Sequence, residues 1–402
     1  MKKICLVVVG LYMILLNAVS QSAPQKDSSL YKSRTLQFEE ANFISSYYHQ
    51  EGNNAAVTGG IGSEKLTDIA NYFDVKLVKY DKKYRKHSFT LGAGIDTYTS
   101  ASSDMIDLKA NSSASHHDIR IYPSVEWEIE NEKKGHAFGF SASSSKEFDY
   151  LSFGFGVSYS KKSADKNREF TAKAQTYLDK VSMILPVELR TYNDIGYHEH
   201  NDYPTKSRNS FNASFTLSQV VNQRLQLMFL LDLAYQQGQL ALPFHRVYFT
   251  DNTVKSETLP NTRFKLPVGI RANYFLGNNI VLRSFYRYYH DDWGLTAHTA
   301  ELETVFKITP FFSVSPFYRY YTQTGIDFFA PYQQHALTET YYTSNNDLSK
   351  FNSSFIGTGL RFAPEKGVLG MPHIAMAELR YGHYSRSTSL NSNIITLNLK
   401  FK

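Results

Sequence analysis

The sequence predicts an all-β fold, a transmembrane antiparallel β-barrel of about 16 strands with short turns at one rim and long loops at the other. Three observations predict it. Apolar and polar residues alternate along most of the 402 residues, as they do in strands that bury one face. Along the chain, the connections between these predicted strands alternate between short and long. The composition includes 29 Tyr and 28 Phe, which favour strands and exclude a disordered chain.

The N-terminus has the pattern of a secretory signal peptide. Lys2 and Lys3 precede an apolar stretch over 4–16, and a small-x-small cleavage site follows at 18–20. The apolar stretch is too short to span a bilayer as a helix. We therefore predict a signal peptide at 1–20.

The rest of the chain is predicted to be a periplasmic tail over 21–34 and an outer-membrane barrel over 35–402. The only cysteine, Cys5, lies in the signal peptide, so the mature chain has no disulfide and no cysteine ligand for a metal. Beyond the signal peptide no run of 18 or more apolar residues occurs, which excludes a helical membrane protein.

The strands are predicted in order from the alternation. In the clearest run, every second residue from Leu225 to Tyr235 is apolar. The predicted strands cover 35–48, 65–80, 87–98, 117–129, 136–145, 150–161, 168–178, 207–221, 224–236, 263–275, 280–290, 296–307, 312–323, 351–362, 371–384 and 393–401.

Alternation alone also fits a soluble β-sandwich exported to the periplasm. Three features favour the membrane. Many predicted strands have ten or more residues, enough for a tilted span. Aromatic residues such as Tyr286 and Tyr318 concentrate near strand ends, where interfacial girdles lie. The chain also ends on an alternating run at 395–402, with an aromatic residue at the penultimate position. The predicted location is the cell outer membrane.

Several motifs resemble those of a bacterial family, the domain-of-unknown-function 3570 family. They lie at 48–53, 56–62, 64–68, 98–104, 285–294, 316–324, 342–344 and 347–349, and the resemblance spans roughly 40–402. It implies an outer-membrane barrel of uncharacterised activity. It also implies gene neighbours that are flavin-attaching and thioredoxin-like proteins. It supplies no catalytic residues.

Charged residues on the predicted polar faces are the candidates for a selectivity zone. Arg283, Arg287, Glu301, Glu303 and Arg319 fall on three consecutive strands, where opposite charges are expected to be neighbours in a wet lumen. The alternative is that these charges only neutralise one another and leave the pore closed.

Two histidine clusters are weak candidates for a transition-metal site. His198, His200 and Asp202 lie on one side of a long loop if the segment is extended, and His116 and His117 precede a strand. Neither spacing matches a recognised metal site.

Other chemistry has little support in the sequence. The net charge of +6 is dispersed, which disfavours nucleic acid as a partner. No motif of a hydrolase, zinc protease or phosphate loop occurs, so we expect no enzyme and no cofactor, although a hydrolase without a local motif stays open. The glycines at 59, 60 and 62 are interpreted as a flexible loop.

The expected function is a porin-like channel or a substrate-specific conduit. The alternative is a closed barrel that serves as a binding platform for a surface complex, and that complex would carry out redox chemistry or metal handling. The expected partners are outer-membrane lipid, the barrel-assembly machinery, and either further copies of the chain or proteins of a surface complex.

Overall fold

The computed structural model describes residues 33–100, 118–190 and 203–402. Within these ranges sixteen strands form one closed antiparallel barrel, as predicted. The barrel strands are β1 (Gln37–Glu51), β2 (Leu66–Tyr80), β3 (Lys86–Ser100), β4 (Asp118–Asn131), β5 (His136–Lys146), β6 (Tyr150–Lys162), β7 (Arg168–Ser182), β8 (Thr205–Asn222), β9 (Leu225–Gly238), β12 (Thr262–Leu276), β13 (Ile280–Asp291), β14 (Thr296–Lys307), β15 (Phe312–Gln323), β16 (Phe351–Phe362), β17 (Ile374–Arg386) and β18 (Leu390–Phe401). Two further strands, β10 (Arg246–Tyr248) and β11 (Val254–Ser256), form a hairpin in the connection between β9 and β12.

The first and last strands close the barrel. β1 pairs with β18 from Ala41 opposite Phe401 to Glu51 opposite Asn391. Closure removes the free sheet edges, and all strand hydrogen bonds can therefore be made inside the wall. The predicted signal peptide and most of the predicted tail lie outside the described residues.

Predicted and observed strands agree closely. Three predicted ranges, 296–307, 312–323 and 351–362, match β14, β15 and β16 to the residue. The largest difference at a strand end is at β7, which continues to Ser182 where the prediction stops at 178. The extension lies at the loop end of the strand, where alternation weakens and neighbouring β8 supplies the hydrogen-bond partners.

The two rims differ as the alternating connections predict. At the turn end, Asn222 accepts hydrogen bonds from the backbone N–H of Arg224 (2.8 Å) and of Leu225 (3.0 Å) and so stabilises a two-residue hairpin. At the other rim, the loop end, the connections include the long segments 52–65, 239–261 and 324–350. Among the described residues, no helix is long and apolar enough to cross a membrane.

The outer wall of the barrel is apolar. Large side chains project from it on every second residue, among them Leu91, Phe140, Phe155, Phe229, Leu302 and Ile356. A protein in water does not expose a continuous apolar belt of this extent, whereas a lipid bilayer requires one. The barrel therefore lies in the outer membrane.

Prolines interrupt the hydrogen-bond ladders at three places. Pro123, Pro267 and Pro316 each lie where pairing with one neighbouring strand is broken for two residues. Proline lacks the N–H that the ladder needs. These strands keep their alternation because the other neighbour still pairs through the same region.

Candidate functional site: the lumen and its cap

The inward faces of the strands line a polar lumen. Tyr286, Leu302 and Tyr318 point outward with 44%, 49% and 46% of their surface exposed. Because side chains alternate along a strand, the odd-numbered residues of β13, β14 and β15 point inward. The five selectivity candidates, Arg283, Arg287, Glu301, Glu303 and Arg319, are all odd-numbered and all lie on this inward face.

The strand register brings four of the five candidates together in pairs. Nη1 of Arg283 donates to Oε2 of Glu303 over 3.2 Å, and Nε of Arg319 donates to Oε2 of Glu301 over 2.6 Å. Opposite charges were expected to be neighbours; these four side chains are, and Arg287 is not. Arg287 lies opposite Thr299, and Glu303 lies opposite Phe317 on β15, because the register is set by the whole hairpin.

A third arginine completes the cluster around Glu303. Arg380 on β17 donates from Nη1 to Oε1 of Glu303 (3.0 Å) and to Oε1 of Glu378 (3.1 Å). Its side chain crosses the inner surface of β15 and β16, where a Cβ on Gly359 would come within 3.3 Å of it. The glycine therefore leaves the space that Arg380 occupies.

Opposite charges are concentrated on opposite walls. The inward face of β2 to β4 is rich in carboxylates, namely Asp68, Asp74, Asp96, Asp118, Glu126, Glu128 and Glu130. The inward face of β12 to β17 is rich in basic residues, namely Arg263, Lys265, Arg271, Arg283, Arg287, Arg319, Arg361, Arg380 and Arg386. In the strand order, β2 to β4 lie half a ring away from β12 to β14. The lumen is therefore polarised across its width.

Some of these charges have no counter-ion. Among the described residues, Arg271 and Arg287 on the basic wall and Glu126 and Glu128 on the acidic wall make no ion pair within 4 Å, and all four are exposed. Inward-facing side chains can be exposed only if the barrel interior contains open space. The lumen is therefore not filled by its own side chains.

One wall of the lumen carries mostly small side chains on its inner face. The inward faces of β5 and β6 carry serines and glycines, including Ser143, Ser145, Ser152, Gly154 and Gly156. A cavity of about 430 Å³ lies against this wall and extends to Lys265 on β12. This part of the lumen presents mainly hydroxyl groups.

The loops at the loop end fold together over the mouth. We call residues 52–65, 183–190, 239–261 and 324–350 the cap. Arg246 joins three of these segments: it donates to both carboxylate oxygens of Glu188, with Nη2 to Oε2 at 3.1 Å, and from Nη1 to the carbonyl of Val57 at 2.8 Å. The loop that carries Val57 and the loop that carries Arg246 arise half a ring apart. Contact between them requires that they cross the mouth.

Among the described residues, most of the large side chains that are fully buried lie in the cap. Val247, Phe249, His335 and Thr343 are at most 1% exposed. An apolar cluster of Trp293, Leu295, Ala297 and Ile326, packed against Leu240, Leu259, Phe328, Phe329 and Leu348, joins the cap to the ends of β13 and β14. Burial on this scale stabilises a fixed arrangement of loops.

The glycine segment predicted to be a flexible loop belongs to the cap. A Cβ on Gly59 would lie 2.6 Å from the ring of Tyr248, and one on Gly60 would lie 2.5 Å from the carbonyl of Ser344. Both glycines have a positive φ, 83° and 85°. The prediction of flexibility was wrong because these glycines serve close packing between loops.

A buried polar network joins the two longest cap segments. Thr343 donates from Oγ1 to Oε1 of Glu257 (2.5 Å), and the carbonyl of Thr343 lies 3.0 Å from Nε2 of His335. Nδ1 of His335 lies 2.6 Å from Oε2 of Glu339. Both ring nitrogens thus lie within hydrogen-bond distance of acceptor oxygens.

Two cap carboxylates in this network have lowered pKa values. Burial by itself raises the pKa of Glu257, but His245, whose Nδ1 lies 3.5 Å away, and hydrogen bonds from Thr343 and Leu242 outweigh it and lower the pKa. Burial also raises the pKa of Glu339, but the hydrogen bond with His335, the hydrogen bond from the N–H of Ala336 and the charge of His335 together outweigh it and lower the pKa. Both carboxylates therefore hold the cap together as anions.

The five metal candidates cannot be placed. His116, His117, His198, His200 and Asp202 lie outside the described residues. Within the described ranges no group of three or more His, Cys, Asp or Glu side chains is arranged to hold a metal ion.

The sequence reasoning missed the residues that organise the mouth. Arg246 and Glu257 lie in the connection between β9 and β12 and belong to no predicted motif, while Asp347 begins the motif at 347–349, to which no role was assigned. Arg386 had one detectable signal, since it continues the inward alternation of β17 at Arg380 and Tyr384.

Comparison with known proteins gives a family assignment. The profile of the family described as "Protein of unknown function (DUF3570)" matches residues 93–369. The chain belongs to the DUF3570 family. A comparison with curated proteins found no match.

Several solved barrels are similar to this DUF3570 chain in outline. The ferric enterobactin receptor PfeA mutant of Pseudomonas aeruginosa is 11% identical with a TM-score of 0.47, over 86% of this chain and 53% of the receptor. OccK1 (OpdK) of the same organism is 8% identical with a TM-score of 0.42, over 92% of this chain and 99% of OccK1. OccD3 (OpdP), also from that organism, is 9% identical with a TM-score of 0.43, over 96% and 97%. The chain spans about half the length of the enterobactin receptor.

Proposed function

We propose that this outer-membrane barrel is a conduit for small hydrophilic solutes and that the charges on its inner wall set its selectivity. One observation carries the proposal. Arg271 and Arg287 on one wall and Glu126 and Glu128 on the opposite wall are exposed to the lumen and, among the described residues, have no ion-pair partner. A wall that served only as a scaffold would neutralise its charges, because an uncompensated charge in a confined space is costly.

The polarised lumen favours particular solutes. Fixed charges on facing walls orient dipolar molecules and attract ions of opposite sign over roughly 8 to 10 Å in physiological salt. Arg283, Glu301, Glu303 and Arg319 form neutralised pairs, so Arg287 is the member of the five candidates with the largest expected effect on passing anions.

A second function has one observation in its favour. The cap joins loops that arise half a ring apart, and its central residues are almost fully buried. A covered mouth suits a binding platform that exposes the cap to a surface complex. It also suits a conduit whose entrance is narrow, so the cap by itself does not separate the two functions.

Single-channel conductance separates them. The mature barrel is refolded, inserted in a planar bilayer and compared with an Arg271→Glu, Arg287→Glu double variant. The matched control is Lys366→Glu, which makes the same type of change at an exposed residue in the connection between β16 and β17. The conduit predicts discrete steps for all three proteins, with a shift toward cation selectivity in the double variant alone.

Two results would count against this function. Absence of conductance from protein shown to be folded and inserted would favour the platform. Conductance with the same selectivity in all three proteins would keep the channel and remove the role of the arginines.

A further inference from the structure

We propose that a chamber beneath the cap binds a small aromatic carboxylate and that the side chain of Asp347 occupies the carboxylate position until the ligand displaces it. The inference rests on the proposed conduit function, since the chamber is part of the lumen. It names the class of solute that the lumen receives.

The chamber lies between the cap and the inward faces of β13 to β18 and β1. Its volume is about 500 Å³, within the usual range for small-molecule sites. Three arginines line it, Arg287, Arg319 and Arg386, while the acidic residue that lines it is Asp347 of the cap. Arg319 is already paired with Glu301, so when the Asp347 carboxylate leaves, Arg287 and Arg386 supply the positive charge that favours an anion.

Arg386 is the principal group. Its side chain is 4% exposed, and its Nε is buried without a hydrogen-bond partner among the described residues. A buried guanidinium donor without an acceptor is uncommon, because leaving such a group unpaired is costly. A carboxylate that accepts from two donors of the same guanidinium would satisfy it.

Asp347 occupies only part of this position. Its Oδ1 accepts from Nη1 of Arg386 at 2.5 Å, yet 71% of the Asp347 side chain is exposed. The other nearby carboxylate, Glu64, is 3.8 Å from Nη2, too far for a hydrogen bond. Water therefore competes for Asp347, and an incoming carboxylate can replace it at modest cost.

The backbone around Asp347 is held independently of its side chain. The N–H of Asp347 donates to the side chain of Asn345 at 2.9 Å, and its carbonyl accepts from the side chain of Gln323 at 3.0 Å. The carboxylate can therefore swing away while the cap segment stays in place.

Aromatic rings supply the rest of the site. Phe351 lies under the guanidinium of Arg386, with 4.9 Å between the ring centroid and Cζ, and Phe355 lies under Arg319 at 5.5 Å. Tyr321 and Tyr384 also line the chamber. Rings of this kind stack well on a flat apolar body, so an aromatic acid suits the chamber better than a small inorganic anion.

Arg287 would attract the ligand into the chamber. Among the described residues it has no ion-pair partner, and its strand neighbour is Thr299. Arg361 is a matched control: it is also an inward-facing, exposed arginine without an ion-pair partner among the described residues, and it does not line the chamber.

Calorimetric titration of the refolded mature barrel in detergent tests the proposal. The probes are benzoate, its neutral analogue benzamide, and inorganic phosphate. We expect benzoate to bind at least about tenfold more tightly than either of the other two, the loss that accompanies removal of a charge-assisted hydrogen bond. Equal binding of benzoate and benzamide, or tighter binding of phosphate, would overturn the assignment.

Variants locate the site. Asp347→Asn is expected to tighten benzoate binding several-fold by removing the competing carboxylate, a gain that a misfolded protein cannot produce. Arg386→Gln is expected to weaken benzoate binding by about tenfold or more and to leave benzamide unchanged. Arg287→Gln is expected to weaken benzoate less, and Arg361→Gln not at all.

Two variant results would count against the site. An unchanged affinity for benzoate in Asp347→Asn would show that the Asp347 carboxylate does not compete with the ligand. Equal effects of Arg386→Gln and Arg361→Gln on benzoate affinity would show that the ligand does not bind in the chamber. Binding can be measured without transport, so the two proposals can fail separately. Conductance without benzoate binding would support the conduit and reject this inference. Benzoate binding without conductance would support the binding site and reject the conduit.

Discussion

Arg380 of β17 reaches Glu303 of β14 across two intervening strands, with 3.0 Å between Nη1 and Oε1. Glu303 also accepts from Arg283 on the adjacent strand, so one carboxylate pairs with two arginines, and Arg380 has a second carboxylate partner in Glu378. Glu301 is the neighbouring inward-facing residue of β14, two positions before Glu303. Among the described residues it pairs with Arg319 alone. The two carboxylates thus have different numbers of arginine partners in the same part of the lumen.

Replacing Glu303 is expected to increase anion selectivity. Glu303→Gln preserves the shape of the side chain and removes the charge that offsets Arg283 and Arg380, whereas Glu301→Gln removes the charge that offsets Arg319 alone. Reversal potentials in a salt gradient should shift toward the chloride potential by a similar amount in both variants, because each loses one negative charge. We expect Glu303→Gln to destabilise the barrel by about 1 to 3 kcal/mol. An unchanged reversal potential or an unchanged stability in Glu303→Gln would contradict the assigned pairing.

Replacing Arg246 is expected to loosen the cap. Arg246→Met keeps much of the side-chain volume but loses the hydrogen bonds to Glu188 and to the carbonyl of Val57. The lost charge-assisted bonds correspond to about 1.5 to 3 kcal/mol. Limited proteolysis should then cut within 239–261 faster, while the control Lys366→Met should behave as the parent protein. Equal cleavage rates would show that Arg246 does not hold the cap.

Acid is expected to loosen the cap as well. The pKa of Glu257 and of Glu339 is lowered in the folded cap from the usual value of 4.5. A lowered pKa means that the ionised carboxylate stabilises the folded state above the usual value and that this contribution disappears as pH falls through the lowered value. Hydrogen exchange of the cap amides, corrected for the intrinsic pH dependence, should therefore increase below about pH 4.5.

A double variant gives the control for this pH effect. In Glu257→Gln, Glu339→Gln the cap should already exchange faster at neutral pH and should respond less to acid. An acid response equal to that of the parent protein would assign the effect to other groups.

Opposite faces of β9 should respond oppositely to a new charge. Leu231 faces lipid near the middle of the strand, and Asp232 faces the lumen. Leu231→Arg is expected to destabilise the barrel by about 2 to 4 kcal/mol, because an arginine near the bilayer midplane loses its hydration. Asp232→Arg should change stability by less than about 1 kcal/mol. Urea unfolding in lipid vesicles measures both, and equal losses would reject the assigned faces.

Strand positions and their faces were predictable from the sequence because both are local properties. The alternation from Leu225 to Tyr235 is a direct record of a strand with lipid on one side and water on the other. The inward position of Arg287 and Arg319 also follows from alternation, since each lies between two outward tyrosines. The pairing partners do not follow from it. Arg287 faces Thr299 because of a register that the hairpin as a whole decides.

The sequence by itself determined the barrel, its strand number, its two unequal rims and the residues that line its lumen. Only the tertiary structure decided that Arg246 joins loops from opposite sides of the ring, that Glu303 serves both Arg283 and Arg380, and that Asp347 meets Arg386. The physical reason is the separation along the chain of the residues involved. Alternation reflects the solvent on each side of one strand, whereas these contacts join residues that closure of the ring brings together, and no periodic pattern records that meeting.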